Sequence, residues 1–376
     1  MRFVLVHTAD WQIGKRFGAF PSEKAAVLRE ERLRAVDRVA EAARAAGAAA
    51  VLVAGDVFDS ETISDALTGT LLSRLKAHPK LSWHLLPGNH DPARAGGVWE
   101  AIVGAGLPAN VVVHTEPRPA ELAPGVVLLP APLTAKSTSR DPTAWMDAAA
   151  TPAGTLRVGL AHGSVQGFGS EGDADVAIDP ARAKAAGLSY LALGDWHGTT
   201  SISERVWYAG TPEPDRFPDN EPGHALVVTI EGASAAPKVE RVATKHFTWA
   251  RRQQTVENAQ GLDAVEAEFA QLGSAASRWL IDLRLQGMVT LFERAAIEAR
   301  LSQLATQVFH LEADLAGLHT KTAASDLEAL GSGVLGTVAQ RLKTEAEGGG
   351  GQAEVAERAL RKLFSIARRI DAGGAS

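Results

Sequence analysis

The sequence predicts an α/β protein with a layered core flanked by helices, a small α+β cap and a helical C-terminal tail. Two observations carry this prediction. Short apolar runs alternate with longer amphipathic stretches through the first 245 residues, as is typical of buried strands linked by helices. The pattern then changes to a shorter strand–helix alternation and finally to helical periodicity alone. The predicted domains are therefore residues 1–245, 246–320 and 321–376.

The elements of the first domain follow from apolar periodicity and turn residues. Strands are predicted at residues 3–6, 49–54, 81–86, 156–160, 190–193, 205–209 and 225–230. Helices are predicted at residues 22–46, with Ser22 as N-cap and the charged face in solvent, and near 65–77. Short strands between residues 111 and 129 alternate with Pro/Gly turns, which indicates antiparallel pieces, and residues 134–142 read as an exposed loop.

The cap has a β-α-β-α-β pattern. Its strands are predicted at residues 247–256, 279–285 and 308–316, and its helices at 262–272 and 291–304. In the tail, helical sequence is interrupted by glycines at 348–351, a flexible joint. The last helix, 353–370, has one apolar face, which either docks on a partner or folds back on its own domain.

Composition limits the choice of function. The 376-residue chain has 45% hydrophobic and 22% charged residues, ordinary for a globular protein. It contains no cysteine, which excludes thiolate nucleophiles and thiolate-bound zinc, so any metal needs oxygen and nitrogen ligands. The net charge of −6 argues against a protein that binds nucleic acid through its overall charge alone. With no signal peptide or apolar membrane span apparent, we expect a cytoplasmic protein that does not bind membranes.

Polar residues follow apolar runs at residues 10–12, 55–59, 88–91 and 194–198, and His162 follows a fifth run. Loops at the carboxyl ends of strands in layered α/β domains collect ligands and catalytic groups. Aspartate, asparagine and histidine supply the oxygen and imidazole donors that divalent metals need. The sequence therefore predicts a metal centre formed by these loops.

The order of these motifs is more specific than any one of them. Gly-Asp-x-x-Asp at 55–59, Gly-Asn-His-Asp at 88–91, Ala-His-Gly at 161–163 and Gly-Asp-x-His at 194–197 together resemble the calcineurin-like metallophosphoesterase superfamily. Within it, His-Thr-Ala-Asp-Trp-Gln-Ile-Gly-Lys at 7–15 is similar to the opening of SbcD-type DNA repair exonucleases, and Tyr-Ala-Gly-Thr-Pro-Glu at 208–213 to their Tyr-Pro-Gly-Ser-Pro-Glu. The resemblance covers residues 1 to about 230 and implies a layered β-sandwich metallophosphoesterase core.

That resemblance implies two divalent metal ions bridged by Asp56. Asp10, Gln12 and His197 would complete the first site, and Asn89, His162 and Asp195 the second. His90 would lie near the scissile phosphate and protonate the leaving oxygen or stabilise its charge. Asp59 resembles the residue that orients that imidazole through its carboxylate.

Two positions depart from the family pattern, because Gln12 and Asp195 stand where histidine is usual. An amide oxygen binds metal more weakly than imidazole, whereas a carboxylate hardens the second site. Three aspartates against two imidazoles favour Mn²⁺, and Mg²⁺ fits the same donors.

The functions of other residues near the motifs are predicted less specifically. Lys15, Arg16 and Arg94 are close enough in sequence to contact phosphates, with Lys15 the best candidate. Trp11, Phe58 and Trp196 flank the proposed ligands, and for all three, core packing is favoured over base stacking.

The predicted function is a two-metal phosphodiesterase that cleaves DNA, a repair-type exonuclease or endonuclease subunit. The resemblance implies an SbcC-like ATPase of the SMC type as partner, and a homodimer is left open. Two alternatives remain. One is a phosphoesterase for a nucleotide or cyclic nucleotide, and the other is a non-catalytic DNA-end-binding assembly module.

Overall fold

The computed structural model describes residues 1–168, 175–217, 220–321 and 333–373. The chain divides into two compact units, Met1–His246 and Phe247–Ser376. The predicted α/β class is confirmed. The separate cap at 246–320 and tail at 321–376 stay a prediction, and residues 322–332 lie outside the described part of the chain.

Strands of the first unit form two large sheets and one short pair. They are β1 (Phe3–Thr8), β2 (Ala50–Val53), β3 (Ser82–Leu85), β4 (Val111–Val113), β5 (Ala120–Ala123), β6 (Val126–Ala131), β7 (Leu156–His162), β8 (Ser164–Val165), β9 (Ala177–Ile178), β10 (Tyr190–Gly194), β11 (Thr200–Ser203), β12 (Val206–Tyr208), β13 (His224–Ile230) and β14 (Lys238–Ala243). The first sheet has the order β14-β13-β1-β2-β3-β4, the second β11-β12-β10-β7-β6-β5, and β8 pairs with β9.

The two large sheets pack face to face. Leu5 and Leu52 of the first sheet and Leu128 and Leu160 of the second belong to one buried cluster. They come from alternate strand positions, as expected for the inner faces of a sandwich. The β-sandwich core implied by the resemblance is therefore present.

Helices cover the outer face of the first sheet. They are α1 (Ser22–Ala45), α2 (Asp65–Lys76) and α3 (Val98–Ala105), with a single-turn helix α4 (Arg182–Ala185) later in the unit. Val36 of α1 and Leu71 of α2 pack with Val51 and Trp83 of the sheet in a second buried cluster. Helix α3 was not predicted, because its eight residues offer barely two turns of periodicity, and glycine lies within it at position 104 and on either side of it at 97 and 106.

Several local predictions were wrong. Pro21 is the N-cap of α1 and makes no side-chain hydrogen bond, so Ser22 is the first helical residue. The charged face of α1 is not wholly in solvent, since Glu31 and Arg32 are buried. Strand β4 pairs parallel with β3, and only β5 and β6 form the expected antiparallel pair.

The second unit is built on three parallel strands. These are β15 (Thr248–Thr255), β16 (Trp279–Thr290) and β17 (His310–Lys321), joined by α5 (Asp263–Leu272) and α6 (Leu291–Leu304). Their shared core includes Phe269, Ile281 and Ile297. The predicted β-α-β-α-β layout is what the structure shows, with β16 and β17 longer than expected.

Two further helices follow, α7 (Val334–Glu347) and α8 (Gly351–Gly373). The predicted glycine joint falls at the break between them. Leu360 and Phe364 of α8 pack with Leu291 and Ala339 of the same unit. The apolar face of the last helix therefore folds back on its own unit. None of the helices in the described ranges has both the length and the apolar character that crossing a bilayer would need.

Candidate metal centre

The predicted ligands converge on one rim of the sandwich. Asp10, Asp56 and Asn89 follow β1, β2 and β3 of the first sheet, whereas His162 ends β7 and Asp195 follows β10 of the second. Potential ligand atoms of Asp10, Asp56 and His162 lie within 4.8 Å of one another. These strands run in the same direction within each sheet, so their carboxyl ends meet at one edge.

The backbone at this rim adopts unusual conformations. Asp10, Gln12 and Asp56 have φ angles of 53°, 49° and 51°, and Asp195 has 103°. Each such conformation costs about 1–3 kcal/mol and persists only where the surroundings hold it. Here the loops hold one another, because Asp10 N donates to Gly55 O at 3.1 Å and Gln12 N to Asp56 O at 3.0 Å.

Asp56 lies at the centre of the site. Its Oδ1 accepts the main-chain N–H of His90 at 2.9 Å, and His162 Nε2 lies 3.5 Å from the same oxygen. A Cβ added to Gly88 would lie 2.2 Å from Asp56 Oδ1, so the third loop can approach this closely only with glycine there. Asp56 therefore contacts the loops that carry the other predicted ligands.

Gln12 contacts Asp56 through its amide nitrogen. Nε2 donates to Asp56 Oδ2 at 2.8 Å, and the side chain is buried. In this orientation Gln12 is a hydrogen-bond donor to the central carboxylate. The sequence-based expectation was an oxygen ligand, which would require Oε1 to turn toward an ion. That role stays a prediction.

The second group of predicted ligands is also assembled. His162 is fully buried; its Nδ1 lies 2.9 Å from Ala54 O, which fixes the ring, and its Nε2 lies 3.1 Å from Asn89 Oδ1. Asp195 N donates to the Asp10 carboxylate at 3.1 Å, and Ser164 Oγ donates to Asp195 Oδ2 at 2.6 Å. Oxygen and imidazole donors from both sheets thus share one space.

The electrostatics of the cluster call for a positive charge. Burial raises the pKa of Asp10 to about 6, against the lowering effect of His197 and His162. Burial lowers the pKa of His162, but the nearby carboxylates of Asp56 and Asp10 outweigh it and raise that pKa to about 9. A buried group of carboxylates that holds a proton this tightly is a donor set that fits a divalent cation.

His90 borders the cluster on its open side. Its side chain is 49% exposed, and Nε2 lies 3.9 Å from Asp56 Oδ2. Nδ1 lies 3.0 Å from the main-chain oxygen of Asp59, to which it can donate. The predicted carboxylate–histidine pair is therefore replaced by a main-chain contact. The Asp59 carboxylate instead lies 3.8 Å from Lys15 Nζ.

The predicted phosphate-binding cations are arranged differently from one another. Lys15 Nζ forms an ion pair with Oδ2 of the buried Asp215 at 2.7 Å. Arg16 is exposed, and Arg94 is exposed and paired with Glu61. Phosphate contact by these residues stays a prediction, and Lys15 is less free for it than the sequence indicated.

The aromatic residues beside the motifs pack against other side chains, although Trp196 is only partly buried, with its ring edge-on to Phe168 at 5.2 Å between centroids. Trp11 and Phe58 are each only 1% exposed, so neither offers a face to a base. Trp11 packs edge-on against Trp83, with ring centroids 5.9 Å apart.

Three buried side chains support the rim, and the sequence did not assign them this role. Arg32 of α1 donates to the main-chain oxygens of Trp11 and Glu213, both at 2.8 Å, and to that of Asp10 at 3.1 Å. Burial lowers the pKa of Arg32, and the nearby carboxylates of Asp215 and Glu213 act in the opposite direction and favour the charged guanidinium. Arg32 therefore connects the first motif to the 208–213 segment. The resemblance of that segment to the family was the one sequence signal that could have pointed to this contact.

Asp91 and Tyr208 have similar supporting positions. Asp91 accepts hydrogen bonds from Gly88 N at 2.7 Å and Phe58 N at 3.0 Å, which joins the second and third motif loops. Tyr208 donates to Gly163 O at 2.8 Å and accepts from Val165 N at 2.9 Å, which fixes the turn after His162.

Comparison with known proteins agrees with this geometry. Residues 3–177 match the calcineurin-like phosphoesterase family. By this match, residues 3–177 resemble a calcineurin-like phosphoesterase domain. Phosphoesterases of that family hydrolyse phosphoesters and bind divalent metals, and the buried Asp/His cluster of this chain has donors that could hold such an ion.

Two individual proteins are similar to this chain. The SbcD subunit of nuclease SbcCD from Rhodobacter capsulatus is 28% identical over 282 residues, which cover 62% of this chain and 68% of that protein. This supports the predicted SbcD-type branch. The crystal structure of TT1561 of Thermus thermophilus aligns over 65% of this chain and all of its own, with 13% identity and a TM-score of 0.41. A score this low does not establish a shared fold.

Proposed function

We propose that this chain is a two-metal-dependent phosphodiesterase that cleaves DNA, a repair-type nuclease subunit. The observation that carries the proposal is the convergence of Asp10, Asp56 and His162 within 4.8 Å, beside the exposed His90. The likeness to a nuclease subunit favours DNA over a small phosphoester as substrate.

In this proposal each residue has a role, for which Gln12 would have to turn its amide oxygen toward the ion. Asp56 would bridge two ions; Asp10, Gln12 and His197 would hold the first, and Asn89, His162 and Asp195 the second. When bound, the ions would supply Lewis acidity and an activated water. Mn²⁺ is the favoured ion and Mg²⁺ the alternative, because the carboxylates outnumber the imidazoles.

His90 is suited to act on the leaving oxygen. With Nδ1 able to donate to Asp59 O, the proton available to substrate would be carried on Nε2, on the side of Asp56. A half-exposed imidazole at this position can move a proton without being a metal ligand. Replacing His90 with alanine is expected to abolish turnover and to leave metal binding within about threefold of the wild type.

Partners follow from the same resemblance. An SbcC-like ATPase would join through the C-terminal helices, where Val334, Leu335 and Val338 of α7 and Val355 of α8 are exposed apolar residues. DNA would reach the metals with help from the 246–320 region. Both assignments rest on the likeness to the SbcD subunit of a nuclease.

One assay separates the candidate functions. The purified chain with Mn²⁺ is offered linear duplex DNA, single-stranded DNA and bis-p-nitrophenyl phosphate, with the His90→Ala variant as control. DNA cleavage that the variant loses supports the proposal. Ester hydrolysis without DNA cleavage indicates a small-substrate phosphoesterase, and DNA binding with neither activity indicates a non-catalytic assembly module.

A further inference from the structure

Asp215 is a buried carboxylate beside the metal centre that the sequence motifs did not single out. It is 5% exposed and lies on the segment between β12 and β13. Its Oδ2 accepts from Lys15 Nζ at 2.7 Å, and its Oδ1 lies 3.2 Å from His197 Nδ1. A buried carboxylate needs partners for both oxygens, and here one partner is a predicted metal ligand.

Arg216 also approaches this pair but does not replace it. Its Nη2 lies 2.9 Å from His197 Nδ1 and 3.2 Å from Nε2. A single donor cannot lie along the lone pairs of both ring nitrogens in the ring plane, so this guanidinium nitrogen lies against the ring face. Arg216 Nε is 3.4 Å from Asp215 Oδ1 and the side chain is 61% exposed. The in-plane partner of His197 Nδ1 is therefore Asp215.

We propose that Asp215 is the positioning residue of the first metal site. It accepts a hydrogen bond from His197 Nδ1–H, which fixes the ring and the tautomer and leaves the Nε2 lone pair for the ion. Carboxylates commonly hold metal-binding histidines in this way and make the other nitrogen a better donor. The inference rests on the proposed two-metal centre and adds a residue that no motif of the chain contains.

Lys15 completes the arrangement. Its ion pair satisfies the second oxygen of Asp215, so the carboxylate cannot rotate away from His197 without leaving a buried charge unpaired. In this role Lys15 acts through Asp215 rather than through the substrate. The first metal site would then depend on residues 15, 197 and 215, which lie far apart in the sequence.

The test is a Mn²⁺ titration of the metal-free full chain by calorimetry. Asp215→Asn preserves the shape of the side chain, and Asp141→Asn is the matched control, since Asp141 is a partly buried carboxylate bound to Arg182 and Thr143. We expect Asp215→Asn to weaken one of two Mn²⁺ sites by about 10- to 100-fold and to leave the other within about threefold. Asp141→Asn is expected to leave both sites unchanged.

A second measurement does not depend on any variant folding. Ring ¹⁵N shifts of the metal-free wild type at about pH 9, where an ordinary imidazole is neutral, report the tautomer of His197. Nδ1–H is expected, and Nε2–H would overturn the proposal, as would unchanged Mn²⁺ affinities in Asp215→Asn. Two bound ions with no DNA cleavage would refute the proposed function alone, whereas a wild type that binds no Mn²⁺ would refute both.

Discussion

Asp56 and His162 come from different sheets, yet Asp56 Oδ1 and His162 Nε2 lie 3.5 Å apart. This contact holds the ends of β2 and β7 together at the rim. It also concentrates opposite charges in a fully buried place, because neither side chain exceeds 3% exposure. Stability and metal binding are therefore linked at this pair.

The stability of the metal-free protein should fall as pH rises through the titration of His162. Its pKa in the folded chain, about 9, lies above the ordinary value of 6.5, so its stabilising effect is complete below pH 6.5 and is lost as pH rises through 9. The loss should be on the order of 3 kcal/mol. Urea unfolding at pH 6.5 and 9.5 measures it, and His162→Gln should remove most of the difference. An equal difference in that variant would assign the effect to other groups.

Gly88→Ala should disturb the centre directly. The added Cβ would lie 2.2 Å from Asp56 Oδ1 and 2.4 Å from Asp56 N, and main-chain atoms cannot yield cheaply. We expect a loss of roughly 1–3 kcal/mol in unfolding free energy and about tenfold weaker Mn²⁺ binding. Gly69→Ala, within α2 and with nothing within 4 Å of the new Cβ, is the control and should stabilise the chain slightly. Wild-type affinity in Gly88→Ala would contradict the close approach.

The rim could be predicted from sequence because each predicted ligand follows a buried strand, and the carboxyl ends of such strands meet. The supporting residues could not. Asp215 lies 18 positions beyond His197 in an irregular segment, so neither periodicity nor motif spacing pairs the two. Arg32 lies four residues after Leu28 and four before Val36, on the apolar face of α1, but its charge favoured the solvated face. The sequence does not show that the main-chain oxygen of Glu213 would lie there to accept its hydrogen bond.

Arg32→Met should destabilise the protein strongly. The variant would leave the buried main-chain oxygens of Asp10, Trp11 and Glu213 without their donors, at a cost of about 1–3 kcal/mol for each group left unpaired. A total loss of roughly 3–5 kcal/mol is expected by urea unfolding. Arg29→Met, on the exposed face of the same helix, should change stability by less than about 0.5 kcal/mol. Similar losses of unfolding free energy in both variants would mean that any substitution in α1 destabilises the protein, and that the buried contacts of Arg32 are not the cause.

Gln12→His tests whether the amide weakens the first metal site. At present Gln12 Nε2 donates to Asp56 Oδ2 at 2.8 Å, and that bond must be lost if the side chain is to face an ion. Imidazole is a stronger ligand, so the variant should bind its weaker Mn²⁺ at least about tenfold more tightly, as calorimetry would show. A parallel titration of Gln12→Glu separates ligand strength from added charge. If histidine left the affinity unchanged or lowered it, Gln12 would be a donor to Asp56 and not a ligand, since the hydrogen bond would then matter more than the metal contact.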